Sequence, residues 1–314
     1  MIGGMESLRE LYRIGHGPSS SHTMGPRSAG EHFLQQYHHS ASFVAELYGS
    51  LAATGKGHLT DTTLREVFAK GEKPIEILWY REVEQKHPNT LVIKAFDEED
   101  RIIASRTYYS VGGGKIVIEG EENPASVSVY PPELAKMSAI LEYCNKEGLQ
   151  LWEFVLEVEG KEILTYMKEV WGVMSDSVER GIEEEGVLPG GLKLPRKAHS
   201  YFLKASKGAY PLDDSALALS YALAVSEENA SGNLVVTAPT CGSAGVLPGV
   251  LYYYAKQKNA GRIRILRALL TAGLVGNLVK TNGSISGAEV GCQGEIGVAC
   301  AMAGAAAAQL NGGS

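Results

Sequence analysis

The sequence predicts an α+β N-terminal domain, with helices on a mostly antiparallel sheet, followed by a mostly α-helical domain. Three observations carry this. Short runs of strand character crowd into the part before Pro132: Ile75–Tyr80, Thr90–Ala95, Ile102–Tyr109 and Lys115–Ile118. The acidic run Asp97–Asp100 reads as the turn of a hairpin between two of them. From Pro132 onward the apolar residues recur at helical spacing instead. A length of 314 residues also suits two domains better than one. The boundary falls at Tyr130–Pro132, giving domains 1–131 and 132–314.

In chain order, a short helix at Ser7–Ile14 leads into the turn-rich GHGPSSSHTMGPR. A helix at Ala29–Gln36 and a strand at Phe43–Tyr48 follow. The loop GSLAATGKGHLTD precedes a helix at Thr62–Ala69, and a last short strand is expected at Ser126–Val129. In the second domain Leu134, Met137, Ile140 and Leu141 mark a helix ending near Gly148, and Trp152, Val155 and Leu156 mark another. Tyr166, Met167, Val170, Trp171, Met174 and Val178 give a long third stripe. After the loop GVLPGGLKLPRKA come alanine-rich helices at 214–227, 243–258 and 262–281. Ile296 to Ala308 then runs without a charged side chain. That run is short of the about 20 residues a bilayer requires. A helix apolar all round is expected to be buried.

Apolar content of 44% and charged content of 21% describe an ordinary soluble chain. A net charge of −7 argues against a nucleic-acid partner, which needs a basic surface. The opening MIGGMESLRELYRIG is mixed and charged, so the expectation is a cytoplasmic protein with no membrane segment. Four cysteines without Cys-x-x-Cys spacing support neither a disulfide scaffold nor structural zinc.

Several segments could carry chemistry. Ser19, Ser20, Ser21, His22 and Thr23 place hydroxyls and backbone N–H groups in a turn leading to a helix, a setting suited to a carboxylate or phosphate. In TGKGHLTD, His58 stands close to Asp61, a pairing suited to general-base work. The triple glycine of YYSVGGGK matches neither a Walker loop nor Gly-x-Gly-x-x-Gly, and suits close approach of backbone to a ligand or a second domain. Lys280, Asn282 and Ser286 bring polar groups to the mouth of the last helix. No lysine has a Ser-x-Lys context for pyridoxal phosphate, so that cofactor is not expected; Lys280 comes nearest. Cys241, Cys292 and Cys300 are the metal candidates, with Cys144 a packed residue on an amphipathic helix. On one helix Cys292 and Cys300 would stand about 12 Å apart, too far to share one small cluster, which favours Cys292 as the ligand.

GPSSSHTMGP, YGSLAATGKGHLTD and YSVGGG resemble the beta-type domain of the iron–sulfur-dependent L-serine dehydratases (L-serine ammonia-lyases). GVLPGGLKLPRKA, ALAVSEENASG, VVTAPTCGSAGVLPGVL and KTNGSISGAEVGCQGEIGVACAMA resemble their alpha-type catalytic domain. The resemblance covers nearly the whole chain, in the order of the single-chain bacterial members. It implies deamination of L-serine to pyruvate and ammonia by α,β-elimination, in amino-acid degradation and gluconeogenesis. It also implies a [4Fe–4S] cluster whose open iron acts as a Lewis acid on the substrate, and a homodimer. In the family three cysteines hold the cluster. One lies in Gly-Cys-Gln, here Cys292; the others belong to a later segment of the form Thr-Cys-Asp-Pro … Ile-Pro-Cys, which this sequence does not contain. A C-terminally truncated family member with one of the three ligands is therefore expected. His58 would be the base, with His22 and Lys280 beside it. Ser19, Ser20, Ser21, Thr23, Asn282 and Ser286 would contact substrate. The rival reading is a serine-binding relative without catalysis.

Overall fold

The structure is a computed structural model that describes residues 4–83, 85–121, 127–207, 213–285 and 287–313. Packing divides the chain into two compact units, one of His16–Ala125 and one of Met1–Gly15 with Ser126–Ser314. The N-terminal fifteen residues thus belong with the helical unit, although the sheet-bearing unit follows them directly in sequence.

The chain opens with a 3-10 turn at Leu8–Glu10, where a helix over Ser7–Ile14 was expected, and continues into β1 (Ile14–His16). A π-helical turn, Ser20–Met24, runs into α1 (Gly25–Gln36). β2 (Ser42–Tyr48), α2 (Gly49–Thr54), α3 (Thr60–Lys70) and β3 (Ile75–Tyr80) follow, then the meander β4 (Thr90–Phe96), β5 (Ile102–Gly112) and β6 (Lys115–Ile118). The sheet order is β3-β2-β4-β5-β6. Only the β2–β3 pair is parallel, as a connection through two helices requires, and the remaining pairs are antiparallel. The mostly antiparallel sheet with helices packed on it is the expected class. One face of the sheet meets α1 and α3 through Phe33, Phe43, Leu47, Leu64, Phe68 and Tyr108, all buried.

The triple glycine proves to be the β5–β6 turn. Gly112, Gly113 and Gly114 have φ of 97°, 57° and 77°, and a Cβ on Gly112 or Gly113 would meet nothing within 4 Å. The glycines supply the left-handed backbone of the turn. Of the strand expected at Ser126–Val129, residues 127–129 carry none, and Ser126 lies outside the described residues.

The helical unit contains α4 (Met137–Glu147), α5 (Leu151–Glu159), α6 (Ile163–Glu183), α7 (Ala198–Ser206), α8 (Asp213–Ala230), β7 (Leu234–Val236), α9 (Val246–Gln257), α10 (Arg262–Asn282) and α11 (Gly287–Leu310). The predicted stripe Met167, Val170, Met174 and Val178 is the buried face of α6. The N-terminal segment is stitched in by hydrogen bonds. Arg13 N donates to Thr237 Oγ1 (2.8 Å), Thr237 N to Arg13 O (2.9 Å) and Tyr12 Oη to Leu269 O (2.9 Å). Its approach to α10 requires Gly273, where a Cβ would lie 2.7 Å from Leu8 Cδ1 and 2.9 Å from the Tyr12 ring.

α11 departs from expectation. Val298, Ala299, Met302, Ala303, Ala306 and Leu310 form a buried stripe, whereas Ile296, Gly297, Cys300, Ala301 and Gly304 are exposed. A helix of alanines and glycines has little apolar area per residue, so leaving one face in water costs little. Val290–Leu310 is long and apolar enough to cross a membrane by length and composition, and carries a partly buried stripe in this fold.

Candidate active site

The sheet-bearing unit gathers the turn Ser19–Thr23 and His58 into one cluster. Ser19 caps the π-turn: its Oγ accepts from His22 N (3.2 Å), and its carbonyl accepts from Thr23 N (3.0 Å) and Met24 N (3.1 Å). A π-turn spreads successive residues more widely than an α-turn and recurs at functional sites. Two hydroxyls then fasten its backbone, and a third ties it to the backbone of His58. Ser110 Oγ donates to Ser21 O (2.7 Å), Thr60 Oγ1 to His22 O (2.6 Å) and Thr23 Oγ1 to His58 O (2.7 Å). Gly25 is needed because a Cβ there would lie 2.1 Å from Ser110 Oγ.

His22 and His58 are neighbours, with ring centroids 4.7 Å apart and planes tilted by 42°. The His22 Nδ1 pairs with Ser21 Oγ (2.8 Å) and its Nε2 with Ser50 Oγ (3.0 Å). Burial first, and the adjacent His58 second, push the His22 imidazolium down to about 4, against a smaller opposing effect from Ser50. His22 is therefore neutral at pH 7. His58 Nδ1 lies 3.0 Å from Thr54 O. A carbonyl only accepts, so Nδ1 carries the hydrogen and Nε2 of the neutral ring is left as a base.

Asp61 does not orient His58. It sits in the first turn of α3, and the Thr54 carbonyl fills that role. Leu59, at φ 58°, turns the chain between them. Thr23 is fully buried, with its hydroxyl committed to the His58 carbonyl, so it positions the turn and offers no free group to a ligand. Ser19, Ser20 and Ser21 lie in the turn as expected. Ser50, Thr60 and Ser110 were not singled out in the sequence. The signal available was a hydroxyl within the quoted segments, in YGS, HLT and YSVGGG.

In the helical unit Lys280 Nζ pairs with Glu6 Oε2 (2.6 Å) and donates to Glu10 O (3.2 Å). Asn282 Nδ2 donates to Ala135 O (2.7 Å) and Leu278 O (2.9 Å). Both side chains thus tie backbone segments together. Ser286 lies outside the described residues. Cys292 is exposed and directly follows Gly291, whose φ of 66° and ψ of −178° kink α11. This backbone region is open only to glycine. Glu295 faces the Thr240–Ser243 loop, where a Cβ on Gly242 would come 3.1 Å from its Oε2. Cys144 and Cys241 are buried and Cys300 is exposed.

Three thiolates at one point are needed to hold a cubane cluster with one open iron. Among the described residues no three His, Cys, Asp or Glu side chains converge on a metal position. The described donor set therefore does not fit a [4Fe–4S] cluster.

A model of the serine dehydratase beta chain matches residues 7–76, and a model of the serine dehydratase alpha chain matches residues 82–314. The chain belongs to the serine dehydratase family. Among its curated relatives, the L-serine dehydratase of Haemophilus influenzae is 38% identical over 364 residues, covering 99% of this chain and 80% of the relative. The L-serine dehydratase TdcG of Escherichia coli is 38% identical over 363 residues with the same coverage. The L-serine dehydratase of Helicobacter pylori is 33% identical over 356 residues, covering 97% of this chain and 78% of the relative. In this serine dehydratase the histidine pair falls in the region of the beta-chain match, and Cys292 in that of the alpha chain. The chain is a lyase by this membership.

Proposed function

We propose that this serine dehydratase deaminates L-serine to pyruvate and ammonia, with His58 as the base for the α-proton. The observation that carries the assignment of the base is the Nδ1–H bond of His58 to Thr54 O, which leaves Nε2 basic beside a second, neutral imidazole. Support for the substrate comes from the relatives' 38% identity over nearly the whole chain.

In this reading the serine carboxylate is held by the hydroxyls and N–H groups of Ser19–Ser21. The α-proton passes to His58 Nε2. The C–H electron pair forms the α,β double bond, and the bond to the 3-oxygen breaks with its electrons leaving on that oxygen. The resulting 2-aminoacrylate tautomerises to an imine, which water hydrolyses to pyruvate and ammonia. Neutral His22 holds Ser21 in place without setting a second positive charge against the imidazolium that forms on His58. Of the three thiolates that an iron–sulfur cluster would need, the described residues bring Cys292 alone to this segment, and none of the steps above passes through such a cluster. A single-chain enzyme acting in the cytoplasm on a free amino acid completes the reading.

The test is anaerobic purification followed by assay of pyruvate and ammonia from L-serine, with serine binding measured in parallel by calorimetry. Equimolar pyruvate and ammonia are expected. Binding without product in iron-loaded protein would favour the serine-binding reading, and the absence of both would overturn the proposal.

A further inference from the structure

The last two turns of α6 carry Glu179 and Glu183, four residues apart and therefore on one face of the helix. The C-terminal turn is where a negative charge meets the negative end of the helix dipole, so Glu183 stands at a position that costs free energy. Glu179 is engaged: its Oε1 accepts from Tyr252 Oη (2.9 Å) and lies 3.3 Å from Lys256 Nζ. Glu183 is exposed, and no salt bridge is made to it among the described residues.

Both carboxylates border a hollow of about 810 Å³ between α6, α7, α8 and α9, a size within the range of small-molecule sites. Its walls are aromatic. Tyr221 and Tyr252 meet edge to face with ring centroids 4.8 Å apart, and Phe202 stands 6.0 Å from Tyr221. Gln257 Nε2, 3.3 Å from Tyr221 Oη, helps to fix that ring, and Leu217 adds to the apolar lining. The lining includes neither the histidine pair nor Cys292, so the hollow is separate from the groups already described.

The chain's own Lys256 shows which charge this surface accepts. Its ammonium lies 5.1 Å from the centroid of the Tyr252 ring and against Glu179, so that an aromatic face and a carboxylate hold a cation together. Burial, then Glu179 and more weakly Glu183, raise the Tyr252 phenol above its ordinary pKa, in keeping with a negative potential at the ring. Glu183 offers a second carboxylate one turn further along, beside the same aromatic wall. We propose that the hollow is a binding site for an aromatic amine, with the ligand's ring among Phe202, Tyr221 and Tyr252 and its ammonium against Glu183. A ligand carrying a carboxylate in place of the ammonium is repelled by Glu179 and Glu183 alike.

Calorimetric titration of the full chain with tryptamine, and separately with indole-3-propionate, tests the proposal, because the two probes share a ring and a chain length and differ in the sign of charge. Tryptamine should bind at a single site, and indole-3-propionate at least about tenfold more weakly. Glu183→Gln should weaken tryptamine about three- to fivefold, the scale of a partly exposed ion pair, while its Tm holds or rises because the helix end loses an unfavourable charge. Phe202→Leu keeps the wall apolar but removes a ring, and should weaken tryptamine about two- to tenfold. Absence of tryptamine binding, equal binding of the two probes, or wild-type affinity for tryptamine in Glu183→Gln or in Phe202→Leu would each overturn it.

Discussion

The imidazole rings of His22 and His58 lie 4.7 Å apart, and burial holds the first of them neutral down to about pH 4. One ring is thus fixed between Ser21 and Ser50, while the other keeps a basic nitrogen. His58→Asn should lower kcat by about 10²–10⁴-fold, the usual scale for a general base. Binding of D-serine should change little, and exchange of the α-proton with deuterated solvent should vanish. Normal exchange in this variant would remove His58 from the role of base.

His22 also sets a pH dependence of stability. Between about pH 4 and 6.5 the unfolded chain binds a proton at this residue and the folded chain does not. Stability therefore rises with pH through that window: the full value holds above about 6.5 and is lost as pH falls towards 4. Discounted for partial solvent access, the loss should be roughly 2 kcal/mol. Urea unfolding at pH 7.5 and pH 4.5 should show it in the wild type and a smaller difference in His22→Gln. An equal difference in both proteins would mean that His22 carries no such linkage.

Gly25 and Ser110 should behave as a coupled pair. A methyl group at position 25 would press on Ser110 Oγ at 2.1 Å and on Ser110 Cβ at 2.9 Å. Gly25→Ala should cost about 1–3 kcal/mol, the range for overpacking. Ser110→Gly also loses the bond to Ser21 O, yet makes room for the methyl. In a double-mutant cycle the combination should be less destabilising than the sum of the single changes. Strict additivity would show that the turn adapts elsewhere.

Lys280 and Glu6 form a second pair, joined at 2.6 Å with neither side chain more than a quarter exposed. Lys280→Gln and Glu6→Gln should lower Tm by similar amounts and couple non-additively, because each removes the opposite charge that faces a half-buried partner. KM for serine should be nearly unchanged if the lysine is a tether. A large rise in KM with an unaltered Tm would return Lys280 to the substrate site.

The helices were legible because large apolar side chains such as Met167, Val170 and Met174 mark one face at helical spacing. The β4–β5 hairpin was legible because Asp97–Asp100 can only be a turn. α11 was not, since alanine and glycine contribute too little area to say which face is buried. The site was half legible. The hydroxyl-rich turn and His58 stand out by residue type, but direction does not follow from proximity in sequence: Asp61 is nearer to His58 than Thr54 is, yet the left-handed Leu59 carries it away. Ser110 reaches Ser21 from 89 positions along the chain, and only the folded sheet brings them together.

The placement of the first fifteen residues in the helical unit constrains the order in which the protein can assemble. Tyr12 bonds to Leu269 and Lys280 to Glu6, so partners more than 250 positions apart must meet. Residues 16–125 contain all the strands of their five-stranded sheet and can fold while the rest is still being synthesised. The opening segment has to wait until α10 has left the ribosome, with Leu8, Leu11 and Tyr12 unburied in the meantime. A nascent chain halted between residues 125 and 262 should therefore protect its sheet from proteolysis while the amino terminus is still cut.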